Sequence, residues 1–453
     1  MTPSPSRRTV LKSMALWRTA LRHVPPPKLL LFGYLGYALL GWALLSLPVA
    51  QAVPVRAIDT LFIATSAVST TGLVTVDPGT SFTLFGEIVL LLLIQMGGLG
   101  YMTIGSFIVL NLAHRLDTLR TRTAQTAFNL PDTIDPVRFL RAVVIFTLIC
   151  EGIGAAILYA LFLAEGVPNA GWSAIFHSVS AFATAGFSLN PDSFESHASD
   201  PAILLTLSAL SILGAMGFLI VLDLWRTATG QARHLGFTSK VIWRITLSFL
   251  LGGTLLLLVA EPSLQGMSQA DRLLAAFFQV MSASTTVGFN SVPVGALAPP
   301  VLIVMFFLMI VGASPAGTGG GLKTTSFAAL VGLVRSTLKG RDRVRYFKRE
   351  IPLERLQTAT ASLAFYAGLL LVATFLLLLV DPGLPFDAVL FETISAMGTV
   401  GLSMGITGEL SDLGKLVIVV LMTAGRVGIL TFGMALAGHD ESRAEEADND
   451  LVL

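Results

Sequence analysis

Ser282-Ala283-Ser284-Thr285-Thr286-Val287-Gly288-Phe289 is the stretch on which the reading of this chain turns. Its core, Thr286-Val287-Gly288-Phe289, has three counterparts: Thr70-Thr71-Gly72-Leu73, Thr184-Ala185-Gly186-Phe187 and Thr399-Val400-Gly401-Leu402. The glycines stand 114, 102 and 113 residues apart. Ten positions before each glycine is Phe62, Phe176, Phe278 or Phe391, six before it Ser66, Ser180, Ser282 or Ser395, and five before it Ala67, Ala181, Ala283 or Ala396. A single T-x-G carries no information in a chain with 42 glycines. Five columns matching in four copies identify one unit repeated four times.

Outward from each T-x-G, the pattern is an apolar span, a short amphipathic segment, the loop, and a second apolar span. First spans are expected near 29–48, 138–163, 241–260 and 358–380, and second spans near 84–110, 201–225, 299–338 and 414–437. Each can cross about 30 Å of hydrocarbon as a helix. The segments between them, Asp59–Ser69, Trp172–Ala183, Leu273–Thr285 and Asp387–Gly398, are too short to cross and read as half-helices that enter and return. Irregular backbone at membrane depth persists only where protein buries it or water lines it, so the four loops are expected around an aqueous path.

Composition agrees with a membrane class. Of 453 residues, 54% are hydrophobic and 13% charged, and mean hydropathy is +0.77, against about 25% charged in soluble domains. The first span follows a basic arm and ends near Ala50-Gln51-Ala52, a signal-cleavage-like site. Its length exceeds a signal core of about 7–15 residues, so it is expected to be retained as the first helix of repeat 1. Cys150 cannot pair within the chain and reads as core filler.

The formal net charge of +1 hides an asymmetry between loops. Basic residues concentrate in the arm 1–28, in 111–141, in 226–244 and in 335–355, while the opposite side carries Arg56, Arg272 and Lys415. The positive-inside rule then places both termini in the cytoplasm and has the T-x-G loops enter from outside. Topology accounts for the 335–355 cluster without a nucleic-acid partner, and the tail from His439 is acidic and reads as solvated. Six histidines show no metal spacing, and His177 reads as packed.

A dehydrated monovalent cation needs oxygens, which rings of backbone carbonyls supply in selectivity filters. Glycine lets the backbone turn its carbonyls toward an axis, and threonine adds a carbonyl and a hydroxyl at the inner mouth. Four loops on one axis would build stacked rings from a single chain, with half-helix C-termini aimed at the ion.

With Thr70-Thr-Gly-Leu73, Gly97-Gly-Leu-Gly100, Gly312-Ala-Ser-Pro-Ala-Gly-Thr-Gly-Gly-Gly-Leu-Lys-Thr-Thr325 and Gly401-Leu402 in hand, the chain resembles the Trk/Ktr/HKT superfamily of potassium transporters over about 29–437, and its bacterial KtrB branch most. The resemblance implies an all-α integral membrane fold of four M1–pore-loop–M2 repeats, eight transmembrane helices around a pseudo-four-fold pore. The expected organisation is an arm 1–28, repeat 1 at 29–110, a linker 111–137, repeat 2 at 138–225, a linker 226–240, repeat 3 at 241–338, a basic linker 339–357, repeat 4 at 358–437, and a tail 438–453. The potassium-binding filter would be Thr70, Thr71, Gly72, Leu73, Thr184, Ala185, Gly186, Phe187, Thr286, Val287, Gly288, Phe289, Thr399, Val400, Gly401 and Leu402. Thr71 and Ala185 depart from the more usual hydrophobic second residue. Glycine at Gly72, where sodium-conducting relatives carry serine, favours potassium.

Segment 299–338 is about twice the length a span needs, and Gly312–Gly321 with Pro315 supplies a break. It is no phosphate loop, because Leu322 and not glycine precedes Lys323. By the resemblance, the intramembrane segment Gly317, Thr318, Gly319, Gly320, Gly321, Leu322, Lys323, Thr324 and Thr325 is the gate, whose shortening raises flux, with Arg426 as a positive barrier beside it. A salt bridge to Glu392 or Glu151 is the structural alternative for Arg426. Glu87, Glu151, Asp223 and Glu392 read as structural, with a proton or sodium relay as the alternative. Glycines at Gly97-x-x-Gly100, Gly214-x-x-Gly217 and Gly425-x-x-Gly428 fit helix packing.

The resemblance further implies potassium uptake across the bacterial cytoplasmic membrane, driven by the membrane potential. It also implies a homodimer, and a cytosolic ring of KtrA-type regulatory subunits binding ATP or ADP. This chain itself carries no nucleotide motif and no cofactor, and its surroundings are membrane lipid. An alternating-access carrier coupled to sodium or protons is the competing function. A membrane enzyme lacks any convergent nucleophile, acid pair or metal set.

Overall fold

The computed structural model describes residues 26–100, 136–230, 234–347 and 349–437. The expectations for residues 1–25 of the N-terminal arm, for the 101–110 end of the span 84–110, for most of the linker 111–137 and for the tail lie outside these residues. Four long apolar helices, Pro26–Leu45, Pro136–Ala164, Phe237–Ala260 and Leu353–Val380, are the outer helices of repeats 1 to 4. Their exposed faces are hydrocarbon, as at Val259 and Leu371, both more than two-thirds exposed, as suits a surface that meets lipid or another subunit.

Each outer helix packs on a half-helix of its own repeat: Ala57–Ser69, Ala170–Phe182, Gln269–Thr285 and Phe386–Gly398. The half-helices are the buried centre. Phe62, Phe176, Phe278 and Phe391, the recurring aromatic column, are all fully buried.

The first, second and fourth inner helices start at side-chain caps that bond their free N–H groups. Asp200 accepts from Ala202 N at 2.8 Å and Ile203 N at 3.2 Å, and Ser411 accepts from Gly414 N at 3.1 Å. Each inner helix packs on the half-helix of its own repeat and on that of the next, and the fourth packs on the half-helix of the first. The four repeats therefore close into a circle, a pseudo-four-fold arrangement within one chain.

The inner helices differ from the continuous spans expected over 201–225 and 414–437. Pro201–Met216 turns by 94° at Gly217 before Phe218–Ala228, and Asp412–Val427 turns by 107° at Gly428 before Ile429–Leu436. Leu84–Leu99 ends at Gly100, and Pro299–Ile310 is separated from Thr324–Thr337 by the expected break. Among the described residues, four helices are long and apolar enough to cross a bilayer singly, and six spans result when each bent pair counts as one.

The cause of the breaks is backbone conformation. Gly100, Gly217 and Gly428 have φ of 78°, 89° and 96°, a region open to glycine and costly for residues with a Cβ. The glycine three positions earlier does the packing expected of it: a methyl on Gly97, Gly214 or Gly425 would run into the carbonyl of Val68, Phe182 or Met397 at a half-helix end. Each Gly-x-x-Gly thus combines a close contact with a break, and only the first role was expected.

Outside the helices, the basic linker forms a two-residue antiparallel ribbon, Arg345–Tyr346 with Arg349–Glu350. Arg244 from the third outer helix lies over the Phe347 ring, 4.3 Å from its centroid.

Candidate functional site

Each half-helix is closed by a threonine in the left-handed region, directly after the helix in repeats 1, 3 and 4 and past Ala183 in repeat 2, with φ of 51° at Thr70, 50° at Thr184, 60° at Thr286 and 50° at Thr399. Its N–H and the next bond back onto the last helical turn. Thr70 N donates to Ala67 O at 3.1 Å and Thr71 N to Ser66 O at 2.9 Å. The same two bonds join Thr184 and Ala185 to Ala181 and Ser180, Thr286 and Val287 to Ala283 and Ser282, and Thr399 and Val400 to Ala396 and Ser395. This is Schellman geometry, usually closed by glycine. The Ser and Ala columns seen in the sequence are its two carbonyl acceptors.

A β-branched residue in that conformation is strained by roughly 1–3 kcal/mol. The strain recurs at the same point in all four repeats. The serine hydroxyls support it in three of them: Ser66 and Ser395 accept from Gly72 N and Gly401 N, each at 3.1 Å, and Ser180 donates to Phe187 O at 2.8 Å.

The four loops meet through their glycines. Gly72, Gly186, Gly288 and Gly401 all have positive φ, between 65° and 92°. A methyl built on Gly72 would overlap Ala185 O and lie 3.2 Å from the Cα of Gly186. Gly186 stands in the same relation to Val287 and Gly288, Gly288 to Val400 and Gly401, and Gly401 to Thr71 and Gly72. The circuit closes head to tail and leaves no room for a Cβ at any corner. All sixteen residues expected at the site are in these loops.

Outside the ring lies a cavity of about 330 Å³ whose walls include the four glycines and the carboxylates Asp77, Asp192 and Glu195, with no basic side chain among the described residues that line it. Asn290 joins the outer loops of repeats 2 and 3 by donating to Glu195 at 2.6 Å, and its carbonyl accepts from Phe194 N at 3.0 Å.

Directly inside the ring sits the segment 317–325. Thr184 Oγ1 donates to Thr318 Oγ1 at 3.0 Å, and Gly320 N donates to Thr286 Oγ1 at 3.3 Å. A methyl on Gly320 would collide with Thr399 Oγ1. Three of the four inner threonines are therefore in direct contact with the segment, while the hydroxyls of Thr70 and Thr399 are buried without a hydrogen-bond partner.

The broken inner helices explain what holds the segment there. A helix that stops inside a membrane leaves carbonyls that need donors. At the end of the second inner helix, Gly214 O accepts from Thr318 N and Ala215 O from Ser314 N, both at 3.1 Å, while Phe218 N donates to Ala316 O at 3.0 Å. At the end of the first, Gly97 O accepts from Arg426, whose other terminal nitrogen donates to Thr318 O; Gly98 O lies 3.4 Å from the same guanidinium. Arg426, from repeat 4, thus ties the repeat 3 segment to the repeat 1 helix end. Among the described residues no carboxylate is its partner, so the salt bridge to Glu392 or Glu151 is not what holds it. Lys323 folds back along its own segment and donates to Gly319 O at 2.7 Å.

The carboxylates expected to be structural are each bonded to neighbouring protein groups. Glu87 accepts from Trp172 at 2.5 Å, Glu151 from Gln95 at 3.1 Å, Asp223 from Gly236 N at 2.6 Å, and Glu392 from Ser403 at 2.8 Å and from Thr407. His177 is fully buried against Phe162, Phe194 and Phe289 and hydrogen-bonds Ser188 at 3.0 Å. Cys150 is a buried free thiol.

Two pairs went unrecognised in the sequence. Lys415, counted there as an outer-loop charge, is buried and donates to buried Asp59 at 2.7 Å, and Arg56 pairs with Asp412 beside it. Both pairs bridge repeats 4 and 1, the one seam of the circle that no linker joins. Only the closure of the circle brings these residues, 356 positions apart, together.

The family model of TrkH, described as a cation transport protein, matches residues 43–444. The chain is 38% identical over 436 residues to the Ktr system potassium uptake protein B of Vibrio alginolyticus, covering 94% of each. It is 34% identical to the Bacillus subtilis protein of the same name, covering 94% of this chain and 96% of that one. A crystal structure of the potassium transporter TrkH from Vibrio parahaemolyticus shares the fold, with a TM-score of 0.69 at 20% identity over 89% of this chain and 84% of that one. These relatives are transporters and not enzymes, and with them the closed ring of four T-x-G loops places this chain in the TrkH family of cation transport proteins.

Proposed function

We propose that the chain is a potassium uptake protein of the cytoplasmic membrane, conducting through the ring of T-x-G loops and gated by the segment 317–325. The observation that carries this reading is the ring itself: four strained, Schellman-closed threonines and four touching glycines at one level. Such a ring stacks backbone carbonyls and threonine hydroxyls around one axis, and the half-helix C-termini bring partial negative charge to it. The buried hydroxyls of Thr70 and Thr399 are acceptors a dehydrated cation would satisfy. The acidic outer cavity raises the local cation concentration. Potassium as the ion is supported by the names of the two relatives above.

The 317–325 segment touches three of the four inner threonines and so closes the inner exit, with Arg426 and Lys323 adding positive charge there. Opening requires it to leave Thr184, Thr286 and Thr399. The relatives belong to a named system of more than one component, which supports a cytosolic regulatory partner. We place on that partner the nucleotide site that this chain lacks by motif, and we take the protein as a homodimer with cytoplasmic termini. Four-fold closure favours a channel-like path over a two-fold carrier.

The test is tracer flux into vesicles holding the purified protein, with potassium or sodium, with and without the regulatory subunit. Potassium flux that dissipates toward the potassium equilibrium potential and rises with the partner is the expected result. Flux that saturates and moves uphill with a fixed count of sodium ions or protons would show a carrier instead.

A further inference from the structure

We propose that the groove between the two halves of the broken third inner helix and the fourth outer helix holds one anionic phospholipid. Its acyl chain would lie along the apolar walls and its phosphate at Arg335 and Lys339. The groove has a volume of about 580 Å³, within the range of roughly 300–1,000 Å³ usual for small-molecule sites. One wall is a stripe of the helix Thr324–Thr337 and its end: Phe327, Leu330, Val331, Val334 and Leu338. Their spacing of three and four residues puts them on one helical face. Phe307 and Ile310, before the break, and Leu363, from the outer helix, complete the walls.

The same face ends in Arg335 and Lys339, one turn apart and both exposed. Among the described residues neither pairs with a carboxylate. An apolar trough that ends in two unpaired cations fits a lipid of one chemistry, an acyl chain joined to a phosphate. The partial negative charge at a helix C-terminus, about half an elementary charge, is outweighed by two full positive ones. Long basic side chains near a helix end reach the interface in this way, and basic pockets between helices on the cytoplasmic side take anionic headgroups. Placing that end at the cytoplasmic surface rests on the orientation proposed above; retention of the lipid does not.

The site bears on conduction because its walls come from both sides of the 317–325 segment and include Leu322 from within it. A bound acyl chain contacts the part that must move, so its presence biases the position of that part.

The experiment is native mass spectrometry of the delipidated full chain with added phosphatidylglycerol or phosphatidylcholine. One phosphatidylglycerol retained per chain is expected, with phosphatidylcholine held more weakly. R335Q/K339Q should retain phosphatidylglycerol about thirtyfold less well, at an unchanged thermal midpoint. V334W, which fills the groove, should exclude both lipids, and L338W, at a residue 82% exposed, serves if V334W does not fold. Equal phosphatidylglycerol retention by the wild type and the double variant would overturn the proposal. So would a groove-filling variant that separates the two copies of a dimer while leaving lipid retention intact, which would make the groove a subunit interface. In vesicles, replacing phosphatidylcholine with phosphatidylglycerol should change potassium flux several-fold in the wild type and not in R335Q/K339Q, and an equal change in both would count against it.

Discussion

Replacing Arg426 tests whether its charge or its fork holds the inner exit shut. The guanidinium donates to Thr318 O on the 317–325 segment and to Gly97 O on the first inner helix, two acceptors contributed by different repeats. A hydrogen bond from a charged donor is worth about 1.5–3 kcal/mol net. Losing the one to Thr318 should therefore shift the closed-to-open ratio by about 10- to 150-fold. Arg426→Ala should raise tracer potassium flux in vesicles by that order when the regulatory partner is absent. Arg426→Lys separates the causes. It keeps the positive charge, but a single ammonium lacks the planar fork that spans two acceptors. If the clamp holds the segment, Arg426→Lys leaks nearly as much as Arg426→Ala. Flux that stays low with lysine and rises with alanine would refute the clamp in favour of a purely electrostatic barrier, and flux unchanged in both would refute any part of Arg426 in closing the exit.

Lys415→Met should lower the thermal midpoint strongly, since stripping one partner from a buried ion pair costs about 3–5 kcal/mol. Arg56→Ala, in a pair more than half exposed, should cost under about 1 kcal/mol; equal effects in parallel melts would contradict the buried-seam reading. Gly288→Ala drives a methyl onto Val400 O and should abolish uptake, whereas Gly36→Ala, with nothing within 4 Å, should leave uptake and yield unchanged. Glu195 has its carboxyl pushed above the ordinary range by burial and then by the Asp192 charge, against the opposing bond from Asn290. A carboxyl raised in the folded state favours folding while protonated, and that contribution fades as pH rises through the glutamate range. Glu195→Gln should therefore melt higher than the wild type at neutral pH and converge with it in acid; a constant offset across that range would speak against the sign.

Much of this protein was legible as repetition. The Phe, Ser-Ala and T-x-G columns fixed the four loops because each column performs the same local task in every copy: a buried ring, two Schellman acceptors, and a turn with positive φ. Gly312–Gly321 announced the third break through proline and glycine. The breaks at Gly217 and Gly428 were hidden, since an isolated glycine in an apolar run reads equally well as packing.

Sequence alone determined the membrane class, the four-fold unit and the break at Gly312–Gly321, because hydrophobic length, period and glycine placement are local quantities. Only the tertiary structure decided what satisfies the carbonyls that the broken helices expose. Thr318 N and Ser314 N reach the second inner helix, and Arg426 spans the first inner helix and the segment. It likewise decided that Lys415 seals the seam with Asp59. Those partners are 99 to 356 positions apart, and no local pattern encodes a donor whose acceptor exists only once the circle has closed.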